Sequence, residues 1–125
     1  MIRQRLGKDL LFFDGGMGTL LQEKGLAEEI YKIHRQYIEA GSDIILTNTF
    51  GANALKFHDD SCSLEEIIKA AVSHVKKAER EALLQTGDER KIYTALDVGP
   101  TGKLLKPMGD LEFETAYEAF KEVVI

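Results

Sequence analysis

Short runs of consecutive apolar residues alternate along the chain with longer stretches in which apolar residues recur at every third or fourth position. Three such runs occupy residues 10–13, 44–46 and 92–96, and each gives way to polar residues or glycine. Each run is too short for a helix, and unbroken apolar character is typical of parallel strands that are covered on both faces. The pattern therefore predicts three buried strands.

Two helical stripes lie between these strands. The first covers residues 30–38, and Gly41 follows it as a favourable C-terminal stop. The second covers residues 64–82 and opens with Ser63 and, three residues later, Glu66. A serine followed at that spacing by a glutamate is a capping box, so we predict that the second helix begins directly after Ser63.

A third helical stripe covers residues 113–124 and follows Asp110, which we predict to be its N-cap. Strands and helices thus alternate, which predicts an α/β fold with right-handed crossovers. A complete (β/α)8 barrel needs roughly 250 residues, so this chain has room for about the first three β/α units. Because the helical pattern continues to Ile125 without a cap, we expect residues 1–125 to be the N-terminal part of a barrel domain, truncated in the third helix.

Composition narrows the classes of function. The chain has 125 residues, a formal net charge of −5, 44% hydrophobic residues and 30% charged residues. This is an ordinary globular composition, and its negative charge argues against binding to nucleic acid or to a membrane surface. No apolar run approaches the roughly 18 residues of a membrane-spanning helix. The single cysteine, Cys62, excludes an internal disulfide, and the simplest compartment is the cytoplasm.

Each predicted strand ends in residues that could bind a ligand. The first ends in the glycine-rich segment 14–19, which begins with Asp14, Gly15 and Gly16. Glycines allow a ligand to approach the backbone closely, and exposed N–H groups there could bind a carboxylate or phosphate. The alternative is a tight turn in which Asp14 bonds its own loop.

The other two strand ends carry hydroxyl, amide and glycine groups. Segment 47–53 could bind a polar small molecule, or its threonines and asparagines could simply form a turn. Segment 97–103 is not a phosphate loop, because Asp97 stands where that motif needs glycine and Leu104 where it needs serine or threonine. We interpret it as a shaped Gly-Pro loop.

Other polar residues give no clear site. His34 lies on the apolar stripe of its helix and is predicted to be a packed or edge histidine rather than a ligand. The stretch of residues 58–62 contains His58 and Cys62, but its spacing matches no familiar zinc pattern and indicates a polar loop. The sequence contains no recognisable catalytic triad, Cys-His pair or carboxylate pair, so we predict no catalytic residue and no metal ligand.

In this order, the strand-end motifs resemble the homocysteine S-methyltransferase family. The similar segments are 14–19, 39–52 and 97–102, and segment 105–110 with the helix after it fits as well. The likeness is strongest to the cobalamin-dependent branch that makes methionine. It implies a (β/α)8 barrel that binds homocysteine at its C-terminal mouth, where zinc on three cysteine thiolates activates the substrate sulfur. It also implies that the methyl group comes from methylcobalamin, which a neighbouring domain regenerates from methyltetrahydrofolate.

The resemblance extends to individual positions in the homocysteine pocket and at its mouth. The implied pocket residues are Asp14, Gly15, Gly16, Thr47, Thr49 and Phe50, and the implied mouth loop holds Asp97, Gly99 and Pro100. The chain departs from the family pattern in two respects. The family's zinc cysteines lie on later strands, so we expect no bound zinc or cobalamin and no activity in the isolated chain. The connection at residues 22–29 is also shorter than the family's loop there.

Two other interpretations remain open. The glycine loops could make the chain a small α/β module that binds an anion. Alternatively, a partial barrel with open sheet edges could self-associate without catalysis, because unpaired strand edges invite pairing.

Overall fold

A computed structural model describes residues 1–15, 28–57 and 62–124 of the chain. The described chain divides into two compact units, unit 1 comprising Met1–Thr47 and Val72–Ala95, and unit 2 comprising Asn48–Ala71 and Leu96–Ile125. No helix among the described residues is long and apolar enough to cross a membrane. The elements, in chain order, are a 3-10 helix at Ile2–Gln4, α1 at Glu28–Glu39, β1 at Ile44–Leu46, α2 at Leu64–Thr86, β2 at Tyr93–Ala95 and α3 at Phe113–Val124.

The two strands of unit 1 are parallel and adjacent. Ile44 pairs with Tyr93, and Leu46 pairs with Ala95. Parallel neighbours require a crossover connection, and here the chain between them contains the long helix α2. The predictions of an α/β fold and of strands near residues 44–46 and 92–96 are confirmed.

The predicted first strand, residues 10–13, is wrong as an extended strand. Only Phe13 makes a parallel bridge, to Ile44. Phe12 and Phe13 are 55% and 60% exposed, although the sequence pattern predicted that both faces of this segment are covered. A central parallel strand is stabilised by burial of its side chains on both faces. Because the side chains of residues 12 and 13 are not covered, the segment pairs with β1 only through the backbone bonds around Phe13.

The ends of the first two helices follow the local signals in the sequence. After α1, Gly41 has φ +110° and donates to the carbonyl of Ile38, while Ser42 donates to that of Tyr37. This pair of bonds is a Schellman motif, which satisfies carbonyls at a helix end. At the start of α2, Ser63 forms the predicted capping box.

The N-cap predicted for the third helix is wrong. α3 begins at Phe113, so Asp110 lies too early to cap it. Leu111 remains extended instead: its N–H donates to Leu104 and its carbonyl accepts from Lys106. Because Leu111 is also buried, burial and backbone pairing keep the chain out of a helix until after Glu112.

Each unit has its own apolar core. In unit 1, one side of β1 and β2 packs with α1 and with the second part of α2. In unit 2, the start of α2 packs with α3 and with the loop that follows β1. The unit 1 core consists of Ile38, Ile45, Val75, Ala78, Ala82 and Ile92. The unit 2 core consists of Ala52, Leu64 and Val123, with Phe57, Ile68 and Leu96 packed against them.

Candidate functional site

In unit 1 the sheet brings two of the predicted site residues to one edge. The Asp14 N–H donates to the carbonyl of Ile44, and the Asp14 carboxylate accepts the N–H of Leu46 at 3.1 Å. The next residue, Thr47, is fully buried and donates its N–H to Ala95 at the end of β2. Thr47 therefore lies at the carboxyl end of β1, and Asp14 directly follows the parallel bridge at Phe13. Ligands of parallel α/β folds bind at the carboxyl ends of the strands.

Gly15 follows in a place with little room for a side chain. A Cβ at this position would lie 2.8 Å from the hydroxyl oxygen of Tyr37. The close approach of Tyr37 explains why glycine suits this position, independently of any ligand. Gly16, the third member of the predicted motif, lies outside the described residues.

Unit 2 brings together the loops that follow the two strands. The hydroxyl of Thr49, 2% exposed, donates to the carbonyl of Asp97 at 2.7 Å. Asn48, just before it, has φ +56°, a left-handed conformation that asparagine adopts more readily than most residues. A reversal of the backbone at Asn48 and a side-chain bond from Thr49 thus fix the start of this loop against the loop of Asp97.

In unit 2, the backbone of Gly99 lies directly against Phe50. A Cβ on Gly99 would lie 1.7 Å from the carbonyl oxygen of Phe50 and 2.9 Å from its ring atom Cγ. Gly99 is buried, whereas the Phe50 side chain is 55% exposed. Only glycine allows these two backbones to approach this closely. The contact leaves an exposed aromatic ring beside the mouth loop.

Asn53 is a structural member of this site that the sequence reasoning left without a role. It is 2% exposed, and its amide nitrogen donates to the carbonyl of Pro100 at 3.5 Å. Its amide oxygen accepts the N–H of Leu55 at 3.2 Å. Asn53 therefore connects the two loops as Thr49 does. Its place in the polar segment after β1 indicated a possible role in binding, but the sequence of that segment was equally compatible with an ordinary turn.

An apolar groove in unit 2 takes only part of its lining from the loop after β1. It is lined by residues of α3, by residues of the first turns of α2, among them Ile68, and by Ala54 and Leu55 of that loop. None of the predicted site residues belongs to its lining. The candidate site is therefore defined by the strand-end loops and not by this groove.

The chain's own residues do not fit the three-thiolate zinc site of the resembling family. Its one cysteine, Cys62, can supply a single thiolate. In the described ranges, no group of three or more histidine, cysteine or acidic side chains is placed to hold a metal ion. The interpretation of residues 58–61 as a polar loop lies outside the described residues.

Comparison with known proteins establishes the class to which this parallel α/β chain belongs. The family model for homocysteine S-methyltransferase matches residues 11–125. The chain therefore belongs to the homocysteine S-methyltransferase family.

Two relatives show how much of such proteins the chain represents. Over 138 residues it is 28% identical to a methionine synthase of Mycobacterium leprae, covering 95% of this chain and 11% of the relative. In fold it is similar to the crystal structure of the homocysteine methyltransferase MmuM from Escherichia coli in its oxidised form, with a TM-score of 0.70 and 24% identity. That likeness covers 81% of this chain and 41% of MmuM, and it fits a partial (β/α)8 barrel.

Proposed function

We propose that this chain supplies the homocysteine-binding strand-end loops of a methyltransferase that converts homocysteine to methionine. The observation that carries the proposal is the closure of the loop after β1 onto the loop after β2. In unit 2, Thr49 and Asn53 bond the second loop, and Gly99 lies directly against Phe50. These residues belong to a chain of the homocysteine S-methyltransferase family.

In the proposed reaction, the thiolate sulfur of homocysteine attacks a methyl group. An S–CH3 bond forms, the bond between the methyl group and its donor breaks, and the donor retains the electron pair of that bond. The residues proposed to bind homocysteine are Asp14, Gly15, Gly16, Thr47, Thr49 and Phe50, and those proposed to shape the mouth loop are Asp97, Gly99 and Pro100.

The cofactors of this reaction are proposed to be bound elsewhere in a larger protein. The chain spans 11% of the methionine synthase that it matches. Its single cysteine does not provide a zinc site, and we assign zinc, methylcobalamin and methyltetrahydrofolate to other parts of such a protein. We therefore propose that the 125-residue chain alone binds homocysteine without transferring a methyl group.

A calorimetric titration with L-homocysteine tests the binding, with Gly99→Ala as the diagnostic variant. The added Cβ would overlap the Phe50 carbonyl, so one loop must move, and we expect at least a tenfold loss of affinity, equivalent to about 1.4 kcal/mol. Gly51→Ala is the matched control, because a Cβ at Gly51 meets nothing within 4 Å. Unchanged affinity in Gly99→Ala, or equal losses in both variants, would contradict the proposed site.

Adding phosphate to the same titration distinguishes the proposed site from the anion-binding alternative. A phosphate-binding module would release homocysteine as phosphate is added, or would bind phosphate and not the amino acid. The proposed site predicts homocysteine binding that is indifferent to phosphate.

A further inference from the structure

We propose that Lys56 binds the α-carboxylate of homocysteine and so makes the site selective for an amino-acid thiol. This inference rests on the proposed function. The residues expected from the family resemblance include two acids, Asp14 and Asp97, but no cation. An amino-acid substrate carries a carboxylate, and binding it away from water requires N–H donors or a positive charge.

Lys56 is placed beside the exposed ring of the candidate site in unit 2. Its Nζ lies 5.8 Å from the centroid of the Phe50 ring, within the range of a cation–π contact. Phe50 is the same residue whose backbone lies against Gly99 in the mouth loop. The ammonium group therefore lies next to an element of the proposed homocysteine pocket.

The stem of Lys56 is held in place by the mouth loop. A Cβ at Gly102 would lie 3.2 Å from Lys56 Cε and 3.9 Å from its Cγ, so the side chain passes directly over this glycine. The Lys56 N–H also donates to the carbonyl of Asn53, the residue that connects the two loops. Packing over Gly102 restricts the rotamers of a side chain that would otherwise be free, which lowers the entropy cost of binding.

The charge of Lys56 is not matched by a carboxylate within the described part of unit 2. Three other lysines there form ion pairs: Lys69 with Glu65, Lys106 with Glu112 and Lys121 with Glu118. Lys56 has no such pair among the described residues, and the residue is exposed. A positioned ammonium without a carboxylate partner, beside an aromatic ring, is suited to receive the carboxylate of a ligand.

The test compares two thiols that differ only in the carboxylate, L-homocysteine and 3-aminopropane-1-thiol. Titrations use the full 125-residue chain, its Lys56→Met variant, which keeps the apolar stem, and its Lys56→Arg variant, which keeps the charge. Lys121→Met is the matched control, since Lys121 is another exposed lysine of unit 2 whose ammonium lies over an aromatic ring, that of Tyr117, but it belongs to α3 and to neither strand-end loop.

We expect Lys56→Met to bind homocysteine about tenfold more weakly, because the variant loses one charge-assisted hydrogen bond to the carboxylate. Its affinity for 3-aminopropane-1-thiol should not change, Lys56→Arg should retain most of the affinity for homocysteine, and Lys121→Met should bind both thiols normally. Equal weakening for both thiols, or no weakening at all, would overturn the role of Lys56 without contradicting the proposed function, because the unmodified chain would still bind homocysteine. If the unmodified chain binds no homocysteine, the proposed function fails and this inference fails with it.

Discussion

At the scale of single residues, one side chain stands out: a histidine that is buried without a hydrogen-bond partner among the described residues. His34 is fully buried in unit 1, and neither ring nitrogen has a hydrogen-bond partner in the described structure. Burial, with a smaller contribution from the charge of His74, lowers the pKa of His34 from 6.5 to about 4. The sequence prediction of a packed histidine is confirmed, but burial without a hydrogen bond was not predictable from an apolar stripe.

The lowered pKa makes the stability of the chain depend on pH. Between pH 6.5 and about 4, the unfolded chain binds a proton at His34 that the folded chain excludes. The free energy of unfolding therefore falls as the pH falls through this window. A shift of this size corresponds to a loss of up to about 3 kcal/mol from this residue.

Urea unfolding at several pH values checks this expectation. His34→Leu removes the titrating group, so its free energy of unfolding should fall less than that of the unmodified chain between pH 6.5 and 4. His74→Gln, which removes a histidine from α2, should retain most of the pH dependence. Parallel pH profiles for His34→Leu and the unmodified chain would show that His34 does not exclude the proton.

The scale of helices and strands shows which sequence signals are reliable. The capping box at Ser63 and the glycine stop at Gly41 are both present, because each depends on bonds within a few residues. The strand predicted at residues 10–13 depended on distant layers that would cover it, and Phe12 and Phe13 are exposed. Asp110 had the right chemistry for a cap, but the pairing of Leu111 with Leu104 decided where α3 begins.

Long-range polar contacts were the part of the fold that the sequence did not indicate. Buried Asp43 accepts hydrogen bonds from Arg5 and from the N–H of Phe12, which lie more than 30 positions earlier in the chain. Arg90, in a charged stretch typical of a solvated surface, donates to the carbonyls of Ser42 and Ile38. No local pattern reveals such partners. The same reason explains why the contact between Asn53 and Pro100 was not predictable from the sequence.

The capping box gives a stability prediction at this scale. Ser63 Oγ accepts the Glu66 N–H at 3.2 Å, and the Glu66 carboxylate accepts the Ser63 N–H at 2.8 Å. The Ser63 N–H, together with the Ser63 hydroxyl, which donates to the same carboxylate at 2.9 Å, lowers the pKa of the Glu66 carboxyl. Ser63→Ala should reduce the free energy of unfolding by about 1 kcal/mol. Ser73→Ala, the same change at an exposed position inside α2, should be neutral or slightly stabilising, because alanine favours helix interiors. Equal effects of the two changes would contradict a capping role.

At the scale of the whole molecule, we expect the chain to self-associate through the outer edge of its sheet. β1 and β2 form a two-stranded sheet, and in the described part of the chain only Phe13 adds a further bridge. Phe12 and Phe13 lie on this outer segment and expose large aromatic surfaces. An apolar, incompletely paired sheet edge is a site for association between chains, and charged residues on an edge suppress it.

Light scattering over a range of concentrations tests this expectation, with a double variant that replaces both phenylalanines by lysine. The mass of the unmodified chain should rise with concentration, whereas the variant should remain at the mass of one chain. Leu84→Lys is the matched control, because Leu84 is a 77% exposed apolar residue on α2 rather than on the sheet edge. It should associate like the unmodified chain. A constant single-chain mass for the unmodified chain would exclude association, while equal suppression by Leu84→Lys would assign it to general surface hydrophobicity instead of the sheet edge.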